Sequence, residues 1–268
     1  MPAAGAIQVQ IDAARAYQGL FVPALFQEFA IQVADAARIR PGERVLDVAC
    51  GTGVLAREAA QRTGSGGQVA GIDPAAGMLA VARQLSPEIE WKEGVAEQLP
   101  FPDRYFDVVV SQFGIMFFTD RRQALRDMLR VLKPGGRLLV AVWDTLDSMP
   151  AYGIETAVIE KSAGRKAGDA LRAPFVLGDR EQLASLLADA DLADAAISTH
   201  RGTARYPGSR VMVEADLRGW LPLMGITLTE AQIEHILGEA EQALIDYTAE
   251  DGRMTFDLSA HFISATRP

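Results

Sequence analysis

The sequence contains a single cysteine, Cys50, among 268 residues. No intrachain disulfide can form, and the chain suits a reducing compartment. It has only three histidines, His200, His235 and His261, and none sits in a motif, so no imidazole base stands out. No apolar run approaches the roughly 18 residues of a membrane span. The first residues lack a basic stretch followed by a continuous apolar core, so no secretory leader is expected and a cytoplasmic location is. Cations are outnumbered: 26 Lys and Arg against 35 Asp and Glu give a formal net charge of −9. Such a surface repels a polyanion, which argues against a nucleic-acid substrate. The one basic stretch, Arg121, Arg122, Arg126, Arg130, Lys133 and Arg137, has helical spacing and reads as a solvated helix face. Repeats and low-complexity tracts are absent. Apolar residues are plentiful at 49%, enough for one α/β core plus a small insertion or cap.

The most informative stretch is Arg44 to Leu55, RVLDVACGTGVL. A short apolar run ends in Asp47, turns through Gly51-Thr52-Gly53 and enters an apolar-periodic segment. This predicts strand, glycine turn and helix start. Glycine lets the backbone turn sharply and lets a ligand approach it. The first turn of the helix offers unpaired N–H groups and partial positive charge. Asp73 closes the next apolar run, Gln68 to Ile72. In a strand–helix–strand unit it lies at the same rim as the glycine turn, placed to accept hydrogen bonds from a ribose. The pair predicts a nucleoside-containing cofactor.

The glycine spacing alone also fits a dinucleotide site. Asp47 argues otherwise, because a carboxylate repels a pyrophosphate but attracts the ammonium and sulfonium of S-adenosylmethionine. Cys50 has nothing nearby in sequence to activate a thiolate and reads as a small loop residue.

VLDVACGTG resembles the first motif of class I S-adenosylmethionine-dependent methyltransferases. Further segments follow in that family's order. Gly71-Ile72-Asp73-Pro74 with Gly77-Met78-Leu79 is similar to the ribose-binding strand end and its helix. Gly94-Val95-Ala96-Glu97-Gln98-Leu99-Pro100-Phe101 is similar to the adenine-side loop. Phe106 to Ser111 is similar to the fourth strand, and Leu132-Lys133-Pro134-Gly135-Gly136-Arg137-Leu138 to the turn into the fifth. The resemblance spans about residues 40–143. It points to the ubiquinone/menaquinone-biosynthesis type and its small-molecule relatives. It implies S-adenosylmethionine held by Tyr17, Asp47, Ala49, Gly51, Thr52, Gly53, Asp73, Pro74, Met78, Val95, Ala96, Glu97, Ser111, Gln112 and Phe113. Val95 stands where the family usually has an acid, so the adenine contact passes to Glu97 or to backbone groups. The Asn/Asp-Pro-Pro-aromatic turn of base-amino methyltransferases is replaced by Ser111-Gln112-Phe113-Gly114.

Strands are expected at 44–48, 69–73, 89–93, 106–111, 137–143, near 195–201 and at 256–266, with helices between them. The last is expected antiparallel by family resemblance. Lys133 to Gly136 is read as a flexible turn. The expected architecture is a Rossmann-like, seven-stranded, mostly parallel, doubly wound sheet with N-terminal helices and a C-terminal helical lid. The expected division is a helical cap at 1–40, a cofactor domain at 41–204 and 253–268, and a lid insertion at 205–252. Within the lid, Thr229-Glu230-Ala231-Gln232 reads as a capping box.

Methyl transfer from a sulfonium needs alignment and exclusion of water rather than a covalent nucleophile. No catalytic residue is assigned. Asp144, just past the fifth strand, lies at the right rim but also suits an ordinary turn. The fourth strand ends in Ser111-Gln112 rather than acids, so no metal is expected. Tyr17, Gln112, Met116, Phe118 and Trp143 are expected at the acceptor, and Phe117 in core packing. This greasy rim predicts a small apolar or aromatic acceptor. A nicotinamide-dependent oxidoreductase and a cofactor-binding protein without transfer are the alternative readings. Acceptor atom and oligomeric state are not legible.

Overall fold

The computed structural model describes residues 4–268, with side-chain surroundings described from residue 7 onward. Residues 1–3 of the expected N-terminal cap lie outside the described residues. Helix α1 (Ala4–Phe21) runs into a π-helical turn, Val22–Phe26, and then into α2 (Gln27–Ala36). The widened turn coincides with Pro23, which has no N–H to continue an α-helical ladder.

The central unit alternates strand and helix. It comprises β1 (Arg44–Val48), α3 (Val54–Thr63), β2 (Gln68–Asp73), α4 (Ala76–Leu85), β3 (Glu90–Glu93), β4 (Phe106–Gln112), α5 (Arg121–Val131) and β5 (Leu132–Trp143). The middle strands are apolar on both faces: Val45, Leu46, Val108, Val109, Val140 and Ala141 are fully buried. Burial on both sides is what a parallel strand between two helical layers requires.

Past β5 the chain forms α6 (Pro150–Ala163), α7 (Arg165–Arg172), α8 (Arg180–Asp189), β6 (Ala196–Tyr206), α9 (Ser209–Ala215), a second π-helical turn at Asp216–Trp220, the short α10 (Leu221–Leu223), α11 (Glu230–Ala243) and β7 (Met254–Thr266). Thr229 closes the expected capping box on Gln232 at the start of α11. Asp179 caps α8 by accepting from the Gln182 amide at 2.8 Å. Among the described residues no helix is long and apolar enough to cross a membrane.

The seven strands lie in the order β3-β2-β1-β4-β5-β7-β6. β1 to β5 pair in parallel, and β7 is antiparallel to both β5 and β6. Strand order reverses between β1 and β4, which opens a crevice at the carboxyl ends of these strands. The segment joining β6 to β7 rises from that same rim, because β7 extends well before Ala260, the partner of Trp143.

Two expectations about strands need correction. Leu132 to Gly136 does not form a free turn. It extends β5, pairing Leu132 with Phe106 across a bulge, and the Gly135 amide donates to the Arg267 carbonyl at 2.9 Å. The last two strands are also longer than read, because they satisfy each other's backbone over eleven paired positions, Ala196 to Tyr206. The basic stretch is neutralised locally: Arg126, Arg130, Lys133 and Arg137 pair with Asp191, with Asp103 and Asp127, with Asp107 and with Glu43.

Candidate active site

The loop after β1 is held from three sides. Asp73, at the end of β2, accepts from the Gly51 amide at 2.9 Å and from the Ala75 amide at 2.8 Å. Arg57, one turn into α3, donates to the Thr52 carbonyl at 2.6 Å. Gly53 has φ +85°, and a Cβ there would run into the Trp91 ring. Glycine is therefore required for both backbone and space. Ala49 and Phe113, which follow β1 and β4, also adopt positive φ, 58° and 55°. These strained residues flank the crevice at the point where the strand order reverses.

Three buried oxygens around this loop have no partner among the described residues: Asp47 Oδ2, Thr52 Oγ1 and Ser111 Oγ. Asp47 is 1% exposed. Burial pushes its carboxyl up to about 8; the Asp73 charge adds to this, while the Ala56 amide and Arg57 oppose it. Burial likewise raises Asp73, against its two backbone donors. Unpartnered buried acceptors are costly. An acid raised this far keeps its proton near neutral pH until a cation beside it draws out the carboxylate.

Above the loop, α1 crosses α4 closely. A Cβ on Gly77 would come within 2.6 Å of the Gln10 backbone. This crossing brings the Tyr17 hydroxyl to within 3.7 Å of where a Gly51 Cβ would lie. Burial, then the charges of Asp73 and Asp47, push the Tyr17 phenol up, so it stays protonated. Tyr17 divides two cavities. A groove of about 710 Å³ runs along α1 past Pro74, Gly77 and Met78 to Glu93. A smaller cavity of about 160 Å³ lies on the other side, walled by Phe26, Phe113, Phe117, Trp143 and Trp220, with Asp216 as its acid. Phe113 and Trp143 stack there with centroids 3.7 Å apart and planes 5° apart.

With this geometry in place, comparison with known proteins identifies the central unit. Residues 46–140 match the family model described as methyltransferase domain. The chain is 47% identical over 122 residues to the ubiquinone/menaquinone biosynthesis C-methyltransferase UbiE of Pseudomonas savastanoi pv. phaseolicola, and 43% identical over 122 residues to UbiE of Pseudomonas aeruginosa strain LESB58. The chain carries a methyltransferase domain. Each alignment takes in 43% of this chain and 46% of the relative, so the chain spans about half the length of the curated relatives it matches. The fold extends further than the sequence likeness. The YcgJ protein of Bacillus subtilis superposes with a TM-score of 0.56 at 19% identity, covering 90% of this chain and 98% of that one. Phosphoethanolamine N-methyltransferase 2 of Haemonchus contortus, solved with S-adenosyl-L-methionine, gives 0.58 at 18% identity, covering 95% and 56%.

The methyltransferase domain brings most of the expected cofactor residues to one rim. Asp47, Ala49, Gly51, Thr52 and Gly53 follow or end β1. Asp73, Pro74 and Met78 end β2 or open α4. Val95 and Ala96 follow β3, and Ser111, Gln112 and Phe113 end β4. Glu97, after β3, accepts from the Thr119 and Asp120 amides through its Oε1 at 2.8 and 3.2 Å. That oxygen fixes the approach to α5. Val95 itself is exposed.

Of the expected acceptor residues, Tyr17 and Trp143 line the aromatic cavity; Gln112, Met116 and Phe118 do not. Gln112 instead donates to the Phe26 carbonyl at 3.1 Å, fastening the π-helical turn to β4. Met116 is buried at 4% exposure. Phe117, expected in core packing, is 47% exposed and lines the cavity. Asp144 is tied down by Ser259 Oγ at 2.7 Å and the Thr145 amide at 2.7 Å, and His261 lies 3.2 Å away. It closes the end of β5. Burial raises the Cys50 thiol well above its ordinary value, in keeping with a packed, unreactive residue.

Sequence reading missed Phe21, Phe26, Tyr152, Phe175, Trp220 and Asp216 in the cavity. One local signal was available. Asp216 interrupts the apolar pattern of Met212, Val213, Ala215 and Leu217, which are all buried.

Proposed function

We propose that this chain binds S-adenosylmethionine at the glycine loop and transfers its methyl group to a small, mainly apolar or aromatic acceptor. The acceptor occupies the aromatic cavity, and no metal takes part. The supporting observation is the cluster of unpartnered buried oxygens on Asp47, Thr52 and Ser111. A cofactor carrying an ammonium and a sulfonium offers Asp47 a counter-charge and the two hydroxyls hydrogen-bond partners, and its methyl is already activated. A pyrophosphate in the same place would meet a buried carboxylate, which disfavours a nicotinamide enzyme.

The chain's own residues do the positioning. Asp73 fixes the loop through Gly51 and keeps a carboxylate at the ribose end. Asp47 supplies a carboxyl that a bound cation draws into its charged form. Pro74, Met78, Val95 and Ala96 border the adenine side, and Ser111, Gln112 and Phe113 the methyl-transfer side. Tyr17 and the α1–α4 crossing stand between bulk water and the loop, as an aligned displacement requires. Residues 205–252 act as a lid over the acceptor cavity, residues 1–40 as a cap, and the remainder as the cofactor domain. The enzyme works in the cytoplasm. No side chain needs to form a covalent intermediate.

The test is transfer of a labelled methyl group from S-adenosylmethionine to a panel of small aromatic phenols, quinols and amines. Label in an extractable product is the expected result. Binding of the cofactor with no transfer to any panel member would contradict methyl transfer to this acceptor class.

A further inference from the structure

Glu155 in α6 and Asp216 in the second π-helical turn are brought together behind the aromatic cavity, 0% and 6% exposed. Neither oxygen of Glu155 has a donor among the described residues. Its nearest acid is Asp216, and the two can hydrogen-bond only if one keeps a proton. Tyr152 and Tyr206 lie beside the pair, and their hydroxyls bond each other at 3.2 Å. Burial and mutual repulsion raise Glu155 strongly, and burial raises Asp216.

Only Asp216 reaches the cavity. There it faces a ring of π-systems that includes Tyr17, Phe26, Phe117, Trp143 and Trp220. Trp220 is locked in place by its indole N–H, which donates to the Ala170 carbonyl at 2.8 Å. A purely apolar ligand would leave the buried acids unsatisfied. A cation would satisfy them and the ring faces together, since aromatic faces attract ammonium groups. An acid pair sharing one proton carries a single negative charge, matching one ammonium.

We propose that the aromatic cavity recognises an acceptor through a protonated amine, with Asp216, backed by Glu155, as its counter-charge and proton acceptor. This rests on the methyltransferase reading and narrows its substrate class to amines bearing an apolar or aromatic body. The balance is simple: an N–H bond of the ammonium breaks, an O–H bond forms on Asp216, and the nitrogen keeps the electron pair it needs as a nucleophile. Glu155 does not touch the ligand. Its role is to hold Asp216 in place and to share its proton.

The experiment is fluorescence titration through Trp143 and Trp220, with benzylamine and its neutral isostere benzyl alcohol as probes, in the presence of saturating S-adenosylhomocysteine. The expected result is at least tenfold tighter binding of benzylamine. Asp216→Asn should abolish that preference while leaving affinity for S-adenosylhomocysteine unchanged. Glu155→Gln should reduce the preference and serves if Asp216→Asn misfolds. Equal affinity for the two probes, absence of binding by both, or a preference that survives both substitutions would overturn the proposal. Failure of the wild-type chain to bind S-adenosylhomocysteine would instead count against the methyltransferase reading itself.

Discussion

Asp73 holds the Gly51 amide at 2.9 Å, so the acid ending β2 shapes the loop that follows β1. One carboxylate thereby satisfies two backbone donors and stands at the rim where the ribose of the proposed cofactor would lie. Asp73→Ala removes both roles. A charge-assisted hydrogen bond contributes about 1.5–3 kcal/mol, so affinity for S-adenosylhomocysteine should fall about ten- to a hundredfold, with a lower melting temperature as well. Calorimetric titration checks the first and a thermal melt the second. Unchanged affinity would remove Asp73 from the site.

Asp47 sets a pH dependence. Its folded-state value lies near 8, against an ordinary 3.8. Between these values the unfolded chain releases a proton that the folded chain keeps, so this group lowers stability as pH rises through the window. Asp47→Asn removes the effect. Melting temperatures of the variant and the wild type should diverge from about pH 5 to about pH 8, with the variant ahead by about 2–4 °C or more at the upper end. The same substitution should weaken S-adenosylhomocysteine binding, because the ligand's ammonium loses its counter-charge. A gap that closes with rising pH would contradict this account of Asp47.

Gly53 and Gly135 separate backbone strain from packing. Both have positive φ, 85° and 74°, but a Cβ meets the Trp91 ring at Gly53 and open space at Gly135. Gly135→Ala should cost about 1–2 kcal/mol from conformation alone. Gly53→Ala should cost about 1–3 kcal/mol more through overpacking. Urea unfolding of the two variants gives the comparison directly.

Phe117 offers a test of the cavity that spares the fold. It is 47% exposed, so Phe117→Ala should leave stability within about 0.5 kcal/mol of wild type. Loss of one aromatic face should weaken benzylamine binding about two- to fivefold. Unaltered benzylamine binding would place Phe117 outside the recognition wall.

The parts of this molecule legible in its sequence are those governed by neighbours in the chain. β1 occupies Arg44–Val48 as expected, because Val45, Leu46 and Val48 form a buried run around the acid Asp47, just ahead of a glycine turn. The capping box opened by Thr229 was also a local signal. The acceptor cavity is different in kind. Phe26 comes from a π-helical turn before β1, Trp143 from the end of β5, and Asp216 from a second π-helical turn after β6. No short window contains two of these elements. Glu97 shows the same limit at small scale: it was the natural substitute for the acid missing at position 95, and its sequence carried no sign that the amides of Thr119 and Asp120 would take up its Oε1. Such competition between partners is settled by tertiary packing, not by local pattern.

The central claim is that the loop after β1 takes a cationic nucleoside cofactor. The most direct measurement is parallel calorimetric titration of the purified protein with S-adenosylhomocysteine and with NADH. The account predicts one site for S-adenosylhomocysteine, weakened by Asp73→Ala, and no heat from NADH. Binding of NADH without binding of S-adenosylhomocysteine would contradict it.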